Sequence, residues 1–261
     1  MDAENKLIIE DTIIPRDIFT KNYIKTFLET SLNNLEVKTI ITDGYKAYTS
    51  IIDDLGYNHQ RCTFHTMKNL MDELIPKHNI LNRKIKKLNK DIPELEKEIN
   101  KIKEKYQGQK GRTSKKDTQR NKDNKKRKQL EKELQNKKAQ RRKYTKILKE
   151  NDKIVKKISL IFKSKTYKTA KNRFQKLYNK INELPEEIQK YLKRLEKYLD
   201  KTLQHTLNQK IPSTNNLIEG FYKITLPGRI KRIFKTYRGL LIRIILNNIR
   251  WIKRCATINK N

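Results

Sequence analysis

Residues 81–106 read LNRKIKKLNKDIPELEKEINKIKEKY. Leu81, Ile85, Leu88, Ile92, Leu95, Ile99, Ile102 and Tyr106 follow one another at steps of 4, 3, 4, 3, 4, 3 and 4. A repeat averaging 3.5 residues keeps one apolar edge on one side of a helix, which is the signature of a coiled-coil seam. Pro93 lies inside the run and predicts a kink or a helix restart, with Asp91 as the N-cap. The seam stops before Gln107-Gly108-Gln109-Lys110-Gly111. A weaker one resumes in the same phase through Leu130, Leu134, Tyr144, Leu148, Val155, Ile158 and Phe162. Two arms about a polar tip predict an antiparallel helical hairpin from residues 80–106 and about 125–160. For 107–128 a solvated chain without fixed structure fits equally well.

The hairpin region carries an unusual charge. Residues 77–157 hold 31 lysines and arginines against 11 acids, a surplus of 20 out of the chain's formal +34. Across all 261 residues the balance is 63 basic to 29 acidic. Such a surplus makes a polyanion the default partner, because neutralising phosphates releases condensed counterions. No apolar run approaches the ~18 residues of a membrane-spanning helix, and no signal-peptide pattern opens the chain. Two cysteines, Cys62 and Cys255, cannot build a disulfide framework. The expectation is a soluble, cytoplasmic, nucleoid-associated protein that binds DNA and no membrane.

On either side of the hairpin the rhythm changes. Lys6–Ile14 (KLIIEDTII) is β-branched and strand-like, and residues 17–35 place Phe19, Tyr23, Ile24, Phe27 and Leu28 at helical spacing. Val37–Thr42 (VKTIIT) is a short apolar run that ends abruptly in Asp43-Gly44, a turn dipeptide. A helix over about 45–54, a strand near 57–61 and a helix through Met67 and Leu74 follow. That alternation predicts a sheet with helices on its faces. After the hairpin the chain reads as helical: through Phe174, Leu177 and Tyr178, again from Pro185 to about Leu207, then from Ser213, and finally over Leu240–Ile252. Ser213 or Thr214 is the expected cap of the helix that carries Glu219. Trp251 falls on the apolar face of the last helix and reads as core, and His78 and His205 sit in helical context as surface or packing residues.

Three stretches carry the candidate chemistry. Thr42-Asp43-Gly44 sets an acid at the carboxyl end of a short strand, where open α/β sheets present ligand groups. His59-Gln60-Arg61-Cys62-Thr63-Phe64-His65 contains a Cys-x-x-His pair. Ser213-Thr214-Asn215-Asn216-Leu217-Ile218-Glu219 sets an acid early in a helix. Cys62 and His65, with His59 as a third donor, fall one short of the four ligands of a structural zinc site. A packing role, or a hydrogen bond near the active site, is therefore the reading taken for Cys62 and His65. No phosphate-loop pattern occurs, so a nucleotide cofactor is not expected.

In this order the three stretches resemble the prokaryotic DDE transposases related to the Mutator-like group, whose catalytic domain is ribonuclease H-like. The resemblance implies that Asp43 and Glu219 are catalytic metal ligands, 176 residues apart. It also implies a long helical insertion between them, and Cys62 and His65 near the active site. The stretch Lys231-Arg232-Ile233-Phe234-Lys235-Thr236-Tyr237-Arg238-Gly239 resembles the basic segment that follows the family's Glu. Lys231, Arg232, Lys235 and Arg238 would then contact phosphates, and Tyr237 would stack on a base.

The implied fold is an α/β ribonuclease H-like core interrupted by a long basic coiled-coil hairpin, with a helical C-terminal part, mainly α by content. The divisions expected are 1–76, 77–162 and 163–261. The implied activity is metal-dependent cleavage and strand transfer in DNA, with transposon ends and target DNA as partners in a homo-oligomer. The cofactor would be Mg²⁺ or Mn²⁺ in a two-metal site. The first acid of such a triad belongs upstream of the stretch that Asp2-Ala3-Glu4-Asn5-Lys6 resembles. Asp2 reads as a turn residue, so the expected metal site is short of one carboxylate. The rivals are a catalytically incomplete DNA-binding remnant and a basic coiled-coil interaction protein.

Overall fold

The computed structural model describes residues 1–15, 17–108, 118–228, 233 and 236–258. The chain is mainly helical, with two short strands among the described residues. Its elements are α1 (Lys21–Leu32), β1 (Thr39–Thr42), α2 (Lys46–Asp54), β2 (Asn58–Arg61), α3 (Thr63–Lys105), α4 (Thr118–Phe162) and α5 (Tyr167–Tyr178). There follow α6 (Glu186–Glu196), α7 (Leu199–Thr202), α8 (Asn216–Thr225) and α9 (Tyr237–Ile258). The contacts divide them into two compact units. One comprises Met1–Asn69, Leu160–Leu184 and Ile188–Asn261, the other Leu70–Ser159 and Pro185–Glu187.

In the first unit, β1, α2 and β2 form a parallel strand–helix–strand module, with Thr39 opposite Asn58 and Thr42 opposite Arg61. Ile51 and Ala47 on α2 pack with Ile24 of α1, flanked by Leu28, Tyr48 and Leu55. On β2, Gln60 is completely buried, and its amide is satisfied on both sides. Its Nε2 donates to the Thr202 carbonyl at 3.0 Å, and its Oε1 accepts from the His205 amide at 2.9 Å. A buried amide left without partners would cost several kcal/mol, so α7 and the turn after it are fixed to β2. Gly44 carries a φ of +92°, and a Cβ there would lie 2.6 Å from Arg61 Nη2. The left-handed backbone and the close guanidinium together require glycine at the turn after β1.

The second unit is an antiparallel pair of helices, as the seam predicts. All eight seam residues from Leu81 to Tyr106 are buried or half-buried, with Leu88, Ile92 and Ile99 at most 7% exposed. The order of cross-helix contacts fixes the direction. His78 meets Asn151, Asn89 meets Arg141, Asp91 meets Lys137, Glu96 meets Lys138, and Lys105 meets Asp123. Much of the α4 inner face is polar, and ion pairs occupy the positions that a continuous apolar seam would fill. At the tip end, Asp123 accepts from both Lys105 Nζ at 2.7 Å and Tyr106 Oη at 2.6 Å. The α4 arm starts at Thr118, earlier than expected. Residues 109–117 of the expected tip lie outside the described residues.

Three sequence expectations need correction. α3 neither breaks nor restarts at Pro93; it runs through Pro76 and Pro93 without interruption, and Asp91 pairs with Lys137 in place of capping. Both prolines lie on the exposed side, where water can reach the carbonyl each one frees. Lys6–Ile14 forms no strand. It is held by side chains of α9: Trp251 Nε1 donates to the Lys6 carbonyl at 2.8 Å, and Asn248 Nδ2 donates to the Asp11 carboxylate Oδ1 at 2.9 Å. β-propensity reports fit to a pleated neighbour, and this segment has none. The helix expected from Pro185 to Leu207 is divided into α6, α7 and a 3₁₀ turn at Gln204–Thr206. Asp2 does sit in a turn, accepting from the amide of Glu4 at 2.9 Å.

The hairpin draws its stability from the apolar seam more than from its ion pairs. Ile99→Ala should cost about 2–5 kcal/mol, the usual range for emptying a buried aliphatic site. Lys103→Ala, which removes a solvated pair with Glu131, should cost less than about 1 kcal/mol. Denaturant unfolding of the two variants checks this, with hydrogen exchange of the 95–105 amides locating the loss.

Candidate active site in the first unit

Strand register decides what meets at one edge. Because Thr42 pairs with Arg61, Asp43 and Cys62 are the next residues of their strands at the same carboxyl end. The Cys62 amide donates to the Thr42 carbonyl at 2.8 Å and extends the ladder by one step. The chain then enters α3 without a linker. Cys62 closes the first turn, its carbonyl accepting from both the amide and the hydroxyl of Thr66, at 3.1 and 2.9 Å. Three residues along a helix return to the same side, so His65 stands over Cys62.

The amides of a helix's first turn have no partner within the helix. The Thr63 amide finds one 150 residues away, donating to the Ser213 carbonyl at 2.9 Å. That bond lays the Pro212–Asn215 turn against the head of α3. α8 starts there, with Asn215 at its N-cap position and Glu219 in its first turn. The expected cap at Ser213 or Thr214 is therefore displaced to Asn215, whose side chain makes no capping hydrogen bond. The far end of α8 is also fixed. Asn247 of α9 donates to the Thr225 carbonyl at 2.6 Å, and Phe221 meets Trp251 edge to face at 5.3 Å.

These constraints gather Cys62 Sγ, a ring nitrogen of His65 and a carboxylate oxygen of Glu219 within 4.8 Å of one another. Cys62 is completely buried, while the His65 and Glu219 side chains are 24% and 40% exposed. The facing atoms, His65 Nδ1 and Glu219 Oε1, lie 3.4 Å apart. Both are shut off from solvent, and they are not aligned for a hydrogen bond to each other or to any other group. Asn215 Oδ1 is another buried oxygen without a partner. A cleft of about 800 Å³ opens beside Glu219, lined also by Phe64, Asn216, Tyr222 and Lys223.

Asp43 stands outside this cluster. It is exposed, and its Oδ1 accepts from the Tyr45 amide at 3.0 Å in the turn after β1. Its charge is felt by Arg61, whose guanidinium is lowered from its ordinary value by burial, with Tyr198 and then Asp43 pulling the other way. Arg61 lies 4.1 Å over the Tyr198 ring and donates to the Gly44 carbonyl at 2.8 Å. His59 is not a ligand of the cluster either. It is buried on β2 with Nε2 2.8 Å from Thr42 Oγ1. Tyr237 and Arg238 are exposed at the start of α9. Lys231, Arg232 and Lys235 lie outside the described residues. Sequence reasoning missed Glu219 as a third donor beside Cys62 and His65, because nothing in local spacing joins residues 154 positions apart.

The donors around Glu219 are a thiol, an imidazole and a carboxylate. Mg²⁺ prefers an all-oxygen shell with several waters, and this trio does not supply one. An ion of that kind would have to draw on Asp43 and on the outward side of Glu219. No protein-family model, curated protein or solved structure matches the chain.

His59 gives a test of how rigidly this edge is held. Burial, together with the charges of Lys201 and Arg61, pushes its imidazole down to about 4. The unfolded chain binds a proton below about pH 6.5, which folded His59 accepts only near its own lower value. The contribution is therefore complete above about pH 6.5 and is lost as the pH falls. Between neutral pH and about pH 5 the loss should be roughly 2 kcal/mol. Urea unfolding at the two pH values checks this, and His59→Gln should flatten that part of the pH dependence.

Proposed function

We propose that this chain serves in DNA strand cleavage and transfer of the DDE-transposase kind. In this reading β1–α2–β2 and α8 are parts of a ribonuclease H-like core, and Asp43 and Glu219 are its metal-binding acids. The observation that carries the reading is the bond from the Thr63 amide to the Ser213 carbonyl. With the Cys62–Thr42 bond it draws together the three stretches on which the family resemblance rests. Chance resemblance gives no reason for segments so far apart in sequence to meet at one strand edge. Mg²⁺ or Mn²⁺ held by carboxylates would activate the attacking oxygen and stabilise the leaving one. The resemblance assigns the third acid to no residue of this sequence.

The test is nicking and strand transfer on DNA with Mn²⁺ or Mg²⁺. Metal-dependent activity should vanish in Asp43→Ala and in Glu219→Ala. Nicking that survives both substitutions would contradict the assignment. Tight DNA binding with no cleavage with either ion would favour a binding remnant. The observation on that side is that Glu219 keeps company with Cys62 and His65 while Asp43 stands apart.

DNA binding itself has a surface to start from in the second unit. Arg142, Lys146, Lys149 and Lys153 are exposed and recur along one face of α4. They would meet phosphates, giving affinity that falls steeply with salt and depends little on sequence. Lys146→Glu combined with Lys149→Glu should weaken duplex binding and reduce the log–log salt slope by about 2, close to one unit per lost phosphate contact. Binding measured by anisotropy across a salt series checks this. An unchanged slope would remove α4 from the interface.

A further inference from the structure

We infer that Cys62, His65 and Glu219 form a binding site for a single Zn²⁺ ion. Two nitrogen or oxygen ligands each ~2.1 Å from a tetrahedral ion lie about 3.4 Å from each other. His65 Nδ1 and Glu219 Oε1 are 3.4 Å apart. That separation is longer than a good hydrogen bond between such groups, and the two atoms are not aligned for one. It is the spacing of two ligands sharing an ion. The sulfur of Cys62 falls within the same 4.8 Å group, and a Zn–S bond of ~2.3 Å would draw it to about 3.6 Å from the other two ligand atoms, a closure of up to about 1 Å.

Burial argues in the same direction. His65 Nδ1 and Glu219 Oε1 are both shut off from water and make no hydrogen bond, standing only at ion-pair distance from each other. An unsatisfied buried polar atom is costly, and a buried carboxylate oxygen more so. A cation between them would satisfy both, and the Cys62 thiol would give up its proton to solvent on binding. The donor chemistry selects the ion: thiolate and imidazole suit Zn²⁺, whereas Mg²⁺ takes oxygen ligands. Three protein ligands are one fewer than the four of a closed structural zinc site, so a further ligand such as water would complete the tetrahedron. The backbone is arranged to hold this set. Cys62 and His65 are locked by the first turn of α3, and Glu219 by the first turn of α8. The Thr63–Ser213 bond joins the two turns.

The site does not rest on DNA transfer. Glu219 has two carboxylate oxygens, so ligation through Oε1 leaves the other available to a second ion. The experiment needs no DNA, and its failure is separate from failure of the nicking assay.

The full 261-residue chain is stripped with chelator and titrated with Co²⁺ as a spectroscopic probe, then with Zn²⁺ in competition. One equivalent of Co²⁺ should give the intense d–d bands of a tetrahedral ion and a near-ultraviolet thiolate-to-cobalt charge-transfer band. Zn²⁺ should abolish both, and a large excess of Mg²⁺ should not. Cys62→Ser should lose the charge-transfer band. Because Cys62 is completely buried, the partly exposed His65 and Glu219 supply variants that leave the core packed. His65→Ala and Glu219→Gln should each weaken Zn²⁺ by more than about a hundredfold, the upper end of the cost of losing an outer partner of a ligand. Circular dichroism is used to show retained helix. Absence of the charge-transfer band in the unaltered chain, or Zn²⁺ affinity unchanged in His65→Ala, overturns the inference.

Discussion

One backbone hydrogen bond, from the Thr63 amide to the Ser213 carbonyl at 2.9 Å, organises the first unit's site. An amide at the head of a helix must find an acceptor outside that helix. Here the acceptor belongs to the turn that launches α8. The bond therefore does more than satisfy one donor. It places the first turns of two helices side by side, and each first turn carries a metal-ligand type of residue facing the other. Beneath them the Cys62–Thr42 bond ties the same junction to β1 and its terminal Asp43. The buried amide of Gln60, two residues before Cys62, anchors the same strand to Thr202 and His205.

What the sequence made legible follows from the range over which each signal acts. The seam from Leu81 to Tyr106 is a local periodicity, and every one of its residues turned inward. The turn at Asp43-Gly44 is equally local, and Gly44 is needed there for its positive φ and for the approach of Arg61. The restart expected at Pro93 does not occur: the helix continues through it, with the proline on the exposed side, where water can reach the carbonyl it frees. Lys6–Ile14 misled because a strand needs a neighbour, and this segment is met by Trp251 and Asn248 of α9 instead. In both cases a local propensity was decided by tertiary surroundings.

The site was half legible for the same reason. The stretches that matter could be named from their residues, and the Cys-x-x-His spacing was visible as two candidate ligands. The third ligand was not. Glu219 was read as the partner of Asp43, whereas its nearest chemical neighbours are a thiol and an imidazole. That difference bears on chemistry, since a thiol and an imidazole recruit a softer ion than a pair of carboxylates does. The polar inner face of α4 taught a related lesson. A weakened seam meant ion pairs such as Lys137 with Asp91, and the helix did not end there.

The claim on which the account turns is that the Pro212–Asn215 turn lies against the head of α3 in solution. A nitroxide attached at Pro212→Cys tests it directly, because position 212 is exposed and the native Cys62 and Cys255 are buried. Amide resonances are compared with the label oxidised and reduced. The account predicts severe broadening of the Cys62–His65 amides and of Thr42–Gly44 beside them. Unbroadened Cys62–His65 amides would contradict it, and the converging site with it.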